Sequence, residues 1–255
     1  LLIVLLLLDC SATGSLAAGT GLAQGEAGRV TAVTDGDTLI VDGKLEVRLV
    51  GIQAPKLPLG RQGFQAWPLA EEAKAALSEL ALGKDVHLAY GGQRIDRHGR
   101  HLAQLYDQSE RWLQGEMLRR GLARVYTFAD NVALADDMLA LEREARAARR
   151  GMWALAYYKV LRVADTPKHL GSFQLVEGEV LQVSTMKGRT YLNFGADWRQ
   201  DFTIALAAKE RRAFDAAGVD LAALVGKRVR VRGWLQAWNG PLIELTHPQQ
   251  LEMLP

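Results

Sequence analysis

Two Asp-Gly pairs divide residues 29–52, RVTAVTDGDTLIVDGKLEVRLVGI, into short runs rich in β-branched and aliphatic residues. Asp35-Gly36 and Asp42-Gly43 are the kind of pair that tight hairpin turns favour, and the runs beside them have the length of strands. This pattern is typical of consecutive antiparallel strands. Residues 29–52 are therefore predicted to form a strand meander.

The rest of the N-terminal half mixes strand and helix patterns. Residues 69–83 and 132–153 carry apolar residues at helical spacing, and each run ends at or near a glycine. Residues 84–92 are predicted to form a strand, residues 93–107 a hairpin and residues 111–126 a helix. Strands followed and flanked by helices predict a mainly β fold of the α+β class.

A second strand-rich region begins at residue 173. It is predicted to contain three strands, a short helix and two strands joined at Asn239-Gly240, which is the order of a small OB-like barrel. The chain is thus predicted to hold two domains and two linkers. Their bounds are a linker at 19–28, a first domain at 29–154, a linker at 155–172 and an OB-like β-barrel domain at 173–255.

The chain begins with LLIVLLLL, an apolar run that is too short to span a bilayer. Small residues follow it, and Ser15-Leu16-Ala17 fits a small-x-small cleavage pattern, so residues 1–18 are predicted to be a signal peptide. The run lacks an initiator Met and a basic segment, which predicts that this leader is fragmentary. The expected location is periplasmic or secreted. Lipid anchoring at Cys10 is the alternative.

The overall charge gives little information about partners. The chain carries 31 Lys and Arg against 29 Asp and Glu, a formal net charge of +2. This balance excludes a protein whose overall field attracts nucleic acid or a membrane surface, so any such binding must depend on local patches. The single cysteine, Cys10, lies in the predicted leader, and its removal would leave no disulfide.

Three short segments together resemble the staphylococcal nuclease, or thermonuclease, family. They are DGDT at 35–38, VRLVGIQAP at 47–55 and RIDRHGRHLA at 94–103, and their order and spacing fit over residues 28–154. The resemblance implies a five-stranded OB-type barrel with packed helices. It also implies a calcium ion that polarises a phosphate, a glutamate that activates water and two arginines that bind the phosphate.

Four positions agree with the residues that the resemblance implies. Arg48 and Arg100 match the two phosphate-binding arginines, whose planar guanidinium groups can each meet two oxygens. Asp37 matches a carboxylate ligand of calcium, and Thr38 is the neighbour whose carbonyl assists it. The resemblance therefore implies that the chain acts on the phosphodiesters of DNA or RNA, or binds a nucleotide phosphate.

Two positions depart from the family's D-T-P-E segment. Gln53 replaces the second calcium carboxylate, and Lys56 replaces the glutamate base. One charge pair at ~4 Å is worth ~4 kcal/mol at an effective dielectric of ~20, and a change from Glu to Lys alters the local charge by two units. Calcium binding is therefore predicted to be weak or absent. Lysine, with an ordinary pKa of ~10.4, is not expected to act as a base. The sequence therefore predicts a pocket that binds an anion without calcium, and a hydrolysis that is impaired or independent of metal.

Several structural alternatives remain open for these residues. Arg48 could simply pair with Asp37 or with Glu46, and Asp35 to Thr38 could form only a hairpin turn. Asp96 has the position of a turn-capping residue. His98 and His101 flank Arg100 and have the pKa range of a substitute base, or they are solvated residues of a hairpin tip.

The segment KRVRVRGW at 227–234 alternates basic and aliphatic residues. Alternate side chains of a strand share a face, and the aliphatic face must meet the core. The opposite face is predicted to point outward and to bind single-stranded nucleic acid, with Trp198 and Trp238 as possible additions. This face consists of Arg228, Arg230, Arg232 and Trp234. The alternative is a solvated strand face whose charges discourage edge pairing.

Three functions are compatible with these residues. The first is an exported nuclease that hydrolyses nucleic acid with altered metal dependence. The second is a catalytically degenerate nucleic-acid or nucleotide binding protein built on two OB-type barrels. The third is a structural or interaction module of the cell envelope, because a fold does not determine a function.

Overall fold

The computed structural model describes residues 21–197 and 199–255. The predicted signal segment, Cys10 and Trp198 lie outside the described residues. Within the described ranges, no helix combines the length and apolar character needed to cross a membrane. The mainly β, α+β class predicted from the sequence is confirmed. Below, residues 21–154 are called the N-terminal half and residues 155–255 the C-terminal half.

Seven strands and three α-helices form the described N-terminal half. The strands are β1 (Ala23–Asp35), β2 (Thr38–Val41), β3 (Leu45–Leu49), β4 (Gly51–Gln53), β5 (Asp85–Tyr90), β6 (His101–Asp107) and β7 (Arg124–Tyr126). The helices are α1 (Ala70–Ala81), α2 (Leu113–Arg119) and α3 (Ala135–Ala147).

Five of these strands close on themselves in the order β1-β2-β3-β6-β5. Strand β1 pairs with β2 on one side and with β5 on the other, while β3 and β6 run parallel. The predicted flexible linker 19–28 is in part wrong, because β1 begins at Ala23 and its first residues pair with β5. The backbone hydrogen bonds of this pairing outweigh the weak strand preference of a Gly/Ala segment.

Aliphatic side chains from the barrel strands and the helices share one core. Leu39, Leu49 and Leu105 point into it from the strands, and Leu77 and Met138 from the helices; all are essentially fully buried. Burying a side chain of this size contributes about 1.5–3 kcal/mol. The core therefore fixes the helices on the barrel, as the apolar spacing of α1 and α3 predicts.

The helix predicted at 111–126 is shorter in the structure. Helix α2 ends at Arg119, and residues 124–126 form β7, which pairs antiparallel with β4. Between them, Gly121 has a φ of +66°, and a Cβ placed on it would lie 2.2 Å from the carbonyl oxygen of Arg150. Glycine at this point lets the chain reverse against the end of α3.

Nine strands and one short α-helix form the C-terminal half. The strands are β8 (Leu161–Arg162), β9 (Phe173–Glu179), β10 (Gln182–Met186), β11 (Arg189–Asn193), β12 (Thr203–Leu206), β13 (Arg228–Trp234), β14 (Gln236–Ala237), β15 (Pro241–Leu245) and β16 (Leu251–Met253). The helix is α4 (Arg211–Ala216).

The strands of the C-terminal half form two sheets, in the orders β10-β11-β12-β15-β14 and β16-β13-β9-β8. The predicted second OB-like barrel is not confirmed, because the pairings found in the described residues do not join these sheets into a ring. The two sheets share a core that includes Phe202, Ile204, Phe214 and Val229. Part of the predicted linker 155–172 also belongs to the fold, since β8 pairs with β9.

A buried ion-pair network joins the two halves. The Arg232 guanidinium, 1% exposed, lies 3.0 Å from the Glu142 carboxylate of α3 and 2.7 Å from Glu252 of β16. Glu142 also accepts a hydrogen bond from the Val125 amide and pairs with Arg146. Burial alone would raise the pKa of Glu142, but Arg232 and Arg146 hold it below its ordinary value.

This network corrects the prediction of an outward-facing basic row. The alternation is right, since Val229 and Val231 are buried in the core, but at Arg232 the opposite face meets Glu142 of α3 instead of solvent. Arg232 is therefore buried, and Arg230 pairs with Glu177 and Glu252. Of the three arginines, only Arg228, with a side chain 61% exposed, stays at the surface, 3.7 Å from Glu177. These arginines bind protein carboxylates, so as a row they cannot follow a nucleic-acid backbone.

The described contacts between the halves include a buried histidine that should make stability depend on pH. His247 is 3% exposed and hydrogen-bonds Thr127 across the interface. Burial, with a smaller effect of Arg232, lowers the pKa of His247 to about 4. In the unfolded chain the group takes up its proton near pH 6.5, so stability is complete above pH 6.5 and falls as the pH drops towards 4. Between these pH values the free energy of unfolding, measured with urea, is expected to fall by about 3 kcal/mol.

A His247→Gln variant is the control for this pH dependence, because glutamine keeps a hydrogen-bonding side chain that does not titrate. The difference in unfolding free energy between pH 7 and pH 4.5 should be smaller in the variant than in the wild type. Equal pH dependence in both proteins would contradict the assignment to His247.

Candidate functional site

The turn between β1 and β2 places a carboxylate in the interior of the protein. Asp37 is fully buried, and its amide donates to the Asp35 carboxylate at 3.1 Å. Gly36 lies between them, and a Cβ there would come within 2.6 Å of Ala73 on α1 and 2.7 Å of Ala54. Only glycine lets α1 and the β4 segment pack this closely on the turn, so the Asp-Gly-Asp sequence sets the position of the buried acid.

Two cations and a backbone amide surround the Asp37 carboxylate. The Lys56 ammonium lies 2.6 Å from Oδ1 and 2.7 Å from Oδ2, and it also reaches Asp35 Oδ2 at 3.2 Å. Arg48 Nη1 lies 2.7 Å from Asp37 Oδ1, and the Ala54 amide donates to Oδ2 at 2.7 Å. The ammonium of Lys56 thus lies among three oxygens contributed by two acids.

Arg48 is held by this arrangement. Its Nη2 donates to the Ile52 carbonyl at 2.8 Å, and its Nη1 also contacts the Asp37 carbonyl at 3.3 Å. Of the two pairings left open by the sequence, the one with Asp37 is confirmed. Glu46 is exposed and stands opposite Ile40 in the β2–β3 ladder.

The two acids of the turn have opposite pKa shifts. Burial alone would raise the pKa of Asp37, but Arg48 and Lys56 hold it well below its usual range. Burial and the neighbouring Asp37 charge raise the pKa of Asp35, and Lys56 offsets only part of this. The Asp37 carboxylate is therefore ionised near neutral pH, and it needs its two cations to remain so in the interior.

Arg100 follows the hairpin turn before β6, where Asp96 fixes it. Asp96 Oδ1 accepts hydrogen bonds from the amides of His98 and Arg100, and its Oδ2 accepts from Arg100 Nε at 2.8 Å and lies 2.7 Å from Nη2. The prediction that Asp96 caps the turn is confirmed. His98 contacts Arg97 at the tip, and His101 bonds the Tyr90 hydroxyl at 2.7 Å; a role for either as base stays a prediction.

Gln53 has a partner that the sequence did not indicate. Its Oε1 accepts hydrogen bonds from Arg124 Nε at 3.0 Å and Nη2 at 2.6 Å. Arg124 is nearly buried, and burial lowers its pKa to about 10. The sequence did not point to this contact, because Arg124 lies in a segment that was predicted to be helical. Thr38 donates from Oγ1 to Asp37 Oδ1 at 3.3 Å, so its described side-chain contact is with the acid.

These groups line an open cleft of about 810 Å³ that both halves of the chain form. Arg48, Lys56 and Arg100 contribute from the N-terminal half, and Trp234 contributes from β13. Two aromatic residues of the cleft were missed from sequence, because Tyr126 ends the stretch predicted to be helix and Phe128 follows it. Arg228, Arg230 and Arg232 do not line it, so Trp234 alone of the predicted row reaches the candidate site.

The N-terminal half is similar in sequence to known nucleases. A profile described as staphylococcal nuclease homologue matches residues 46–155. An uncharacterized endonuclease of Escherichia coli O157:H7 is 35% identical over 131 residues, which are 50% of this chain and 76% of that protein. Thermonuclease of Staphylococcus hyicus is 28% identical over 140 residues, 54% of this chain and 81% of that protein.

A fungal protein extends the comparison. A probable endonuclease of Pyrenophora tritici-repentis is 38% identical over 118 residues, which are 43% of this chain and 41% of that protein. The profile match ends at residue 155, before the first strand of the C-terminal half. The profile match therefore covers strands β4 to β7, most of β3, helices α1 to α3 and most of the residues that line the cleft, but not strands β1 and β2.

Proposed function

The chain belongs to the staphylococcal nuclease homologue family, and we propose on this basis that it acts on the phosphodiesters of nucleic acid in the cleft. We propose further that it holds the phosphate without calcium and that its hydrolysis is impaired. The observation that carries this proposal is the position of the Lys56 ammonium, 2.6–3.2 Å from oxygens of Asp37 and Asp35. A cation of the chain itself lies where the acids of the turn converge.

Arg48 and Arg100 support binding of an anion beside this lysine. A guanidinium group has five N–H donors. The described contacts of Arg48 engage Nη1 and Nη2, and those of Arg100 engage Nε and Nη2. Each arginine thus retains donors for phosphate oxygens, while its protein partners fix its orientation. Hydrogen bonds to charged groups contribute about 1.5–3 kcal/mol each, so loss of both arginines should weaken the binding of an anion measurably.

Calcium is the cofactor that the family implies, and the described residues do not fit it. Calcium takes about six to eight oxygen ligands, mostly carboxylates and carbonyls. Here both oxygens of Asp37 bind Lys56, and the amide oxygen of Gln53 binds Arg124. In the described part of the chain, no group of three or more His, Cys, Asp or Glu side chains is arranged to hold a metal.

The same substitution bears on hydrolysis. Attack on a phosphodiester needs a group that takes a proton from water, and the family position for it holds Lys56. The Lys56 ammonium, held by Asp37 and Asp35, has no lone pair with which to take that proton. Arg48 and Arg100 can still neutralise charge that develops on the phosphate. We therefore expect slow cleavage at most, with binding retained.

The proposal is tested with the mature chain on labelled single-stranded DNA and RNA. Binding and cleavage are measured with calcium, with other divalent ions and in chelator. An Arg48→Ala, Arg100→Ala variant should bind at least about tenfold more weakly in chelator, because it loses two charge-assisted contacts. Arg162→Ala is the matched control, since this arginine is 85% exposed and lies outside the cleft. Circular dichroism establishes that each variant is folded.

Two results would contradict the proposal. The first is no binding of any oligonucleotide by the wild type, or equal binding by the double variant and by Arg162→Ala. The second is rapid cleavage that requires calcium, which would mean that Lys56 leaves the acids when the metal arrives.

The second candidate function is nucleic-acid or nucleotide binding without cleavage, and the pairing of Lys56 with both acids favours it. Binding that the double variant weakens, with no cleavage in any ion, would establish this function. The third candidate, an envelope structural module, predicts neither binding nor cleavage. The arginines of β13 do not separate the second candidate from the third, since Arg230 and Arg232 pair with carboxylates.

We also propose that the protein acts after export, because its first residues have the apolar run and small-residue pattern of a signal peptide. Amino-terminal sequencing of the protein recovered from the periplasm or medium tests this. A mature chain that begins shortly after Ala17 supports export with cleavage, and retention of all the protein in the cytoplasm contradicts it.

A further inference from the structure

The C-terminal half places one large aromatic ring in the cleft that it lines together with the N-terminal half. Trp234 is the last residue of β13 and is 47% exposed. Its Nε1 donates to the Tyr126 hydroxyl at 3.0 Å, so the indole is fixed at its polar edge while much of the ring faces the cleft. An indole held in this way can offer its apolar surface to a ligand.

A second exposed ring lies beside it. Phe128 is 54% exposed and lines the same cleft, and its ring meets Tyr126 edge to face at 5.0 Å between centroids. Tyr126 in turn packs on buried Phe173, which pairs with Trp234 in the β9–β13 ladder. Both exposed rings therefore contact Tyr126, which packs on Phe173, so residues of both halves support them. Exposed apolar surface within a cleft commonly marks a binding site.

The rings are close to the phosphate-binding arginine. Gly51 of β4 stands directly opposite Tyr126 of β7 in the antiparallel ladder. The next residue, Ile52, accepts the hydrogen bond from Arg48 Nη2 at 2.8 Å. The aromatic cluster is thus one residue along the ladder from the group that orients Arg48. A nucleotide held by its phosphate at Arg48 can reach the rings with its base.

We propose that Trp234, together with Phe128, forms a stacking site for an unpaired base next to the phosphate held by Arg48 and Arg100. The preferred ligand of the cleft is then single-stranded nucleic acid. This inference rests on the proposed function, because it requires a phosphodiester in the cleft. Through Trp234, the C-terminal half then helps to select the ligand that binds in the cleft.

Single strands are favoured for a physical reason. The base faces of a duplex are covered by neighbouring base pairs, so stacking on a protein ring requires that a base leave the helix. An unpaired strand can stack without that cost, and stacking tolerates any base because every base has a π face. Arg48, Lys56, Arg97 and Arg100 line the same cleft; Asp35 and Asp96 offset part of their charge, but basic side chains outnumber acidic ones in its lining and can meet the nucleic-acid backbone.

The test measures fluorescence anisotropy in chelator with a labelled single-stranded oligonucleotide, the same strand with abasic sites and the corresponding duplex. Trp234→Leu removes the aromatic ring but keeps an apolar side chain, and Trp234→Phe restores a ring. Trp238→Ala is the matched control, since Trp238 is 69% exposed on the same half but lies outside the cleft. All variants are checked for the wild-type melting temperature.

Trp234→Leu should weaken binding of the base-bearing strand about 5- to 100-fold and leave binding of the abasic strand unchanged. Trp234→Phe should recover most of the affinity, and Trp238→Ala should bind like the wild type, which itself prefers the single strand to the duplex. The inference is overturned if Trp234→Leu binds like Trp238→Ala, or weakens both strands equally. Wild-type protein that binds no oligonucleotide, or binds equally without Arg48 and Arg100, overturns the proposed function instead.

Discussion

An Arg232→Ala variant should lose about 3–5 kcal/mol of its free energy of unfolding. The reason is that Arg232 neutralises Glu142 and Glu252 at the junction of the two halves, at 3.0 and 2.7 Å. Without the guanidinium, the Glu142 carboxylate, fully buried on α3, keeps Arg146 as its one charged partner among the described residues. An incompletely paired charge in the interior costs far more than the lost packing of one side chain.

Arg228→Ala is the matched control for this effect, because it removes the same residue type four positions earlier on the same strand. Its side chain is 61% exposed and lies 3.7 Å from Glu177, so its loss should change stability by no more than about 0.5 kcal/mol. Urea unfolding of the two variants at pH 7 gives the comparison. Similar losses in both would mean that the network contributes little to holding the halves together.

A Lys56→Glu variant should lose about 3–5 kcal/mol in chelator and should recover stability when calcium is added. The substitution removes the ammonium from Asp37 and Asp35 and places a third carboxylate beside them. Like charges confined in one pocket repel one another until a cation joins them. Adding Gln53→Asp supplies a further carboxylate. For this double variant, calcium at about 100 times its Kd should raise the unfolding free energy by about 3 kcal/mol.

Lys56→Met separates loss of the ammonium from gain of a carboxylate. This variant should be less stable than the wild type, since Arg48 is then the one charged partner of Asp37 among the described residues. Calcium should not restore its stability. Thermal melting with and without calcium distinguishes the three variants. A wild-type melting temperature that rises with calcium as much as that of the double variant would show that Lys56 does not exclude the metal.

The short-range patterns predicted the local elements of the fold well. The Asp-Gly turns of β1 to β3 and the Asn239-Gly240 turn before β15 are where the residue types placed them, because tight turns depend on the conformations of a few residues. The apolar spacing of α1 and α3 located the start of each helix to within three residues, but α3 ends at Ala147, six residues before the predicted end. Helix α2 was predicted too long, because the strand pairing of β7 with β4 overrides the helical preference of residues 124–126.

The long-range contacts could not be predicted from these patterns. Strand alternation correctly placed the side chains of Arg232 and Val231 on opposite faces of β13. It does not show whether the polar face meets solvent or another part of the chain. The partner of Arg232, Glu142, is 90 residues away in sequence. At the candidate site, the departures at Gln53 and Lys56 were visible in the sequence, whereas the bond from Arg124 to Gln53 and the convergence of Trp234 with Phe128 depend on how the halves pack.

The ammonium of Lys56 is tethered to the chain, and this has a consequence for any activity of the cleft. A dissociable ion occupies its site in proportion to its concentration in the medium, whereas a group on the same polypeptide has a fixed local concentration. Competing chelators, fluctuating ion levels and loss of metal during transport cannot empty such a site. The turn that holds Asp35 and Asp37 is thus charge-compensated from the moment the chain folds, whatever compartment it occupies.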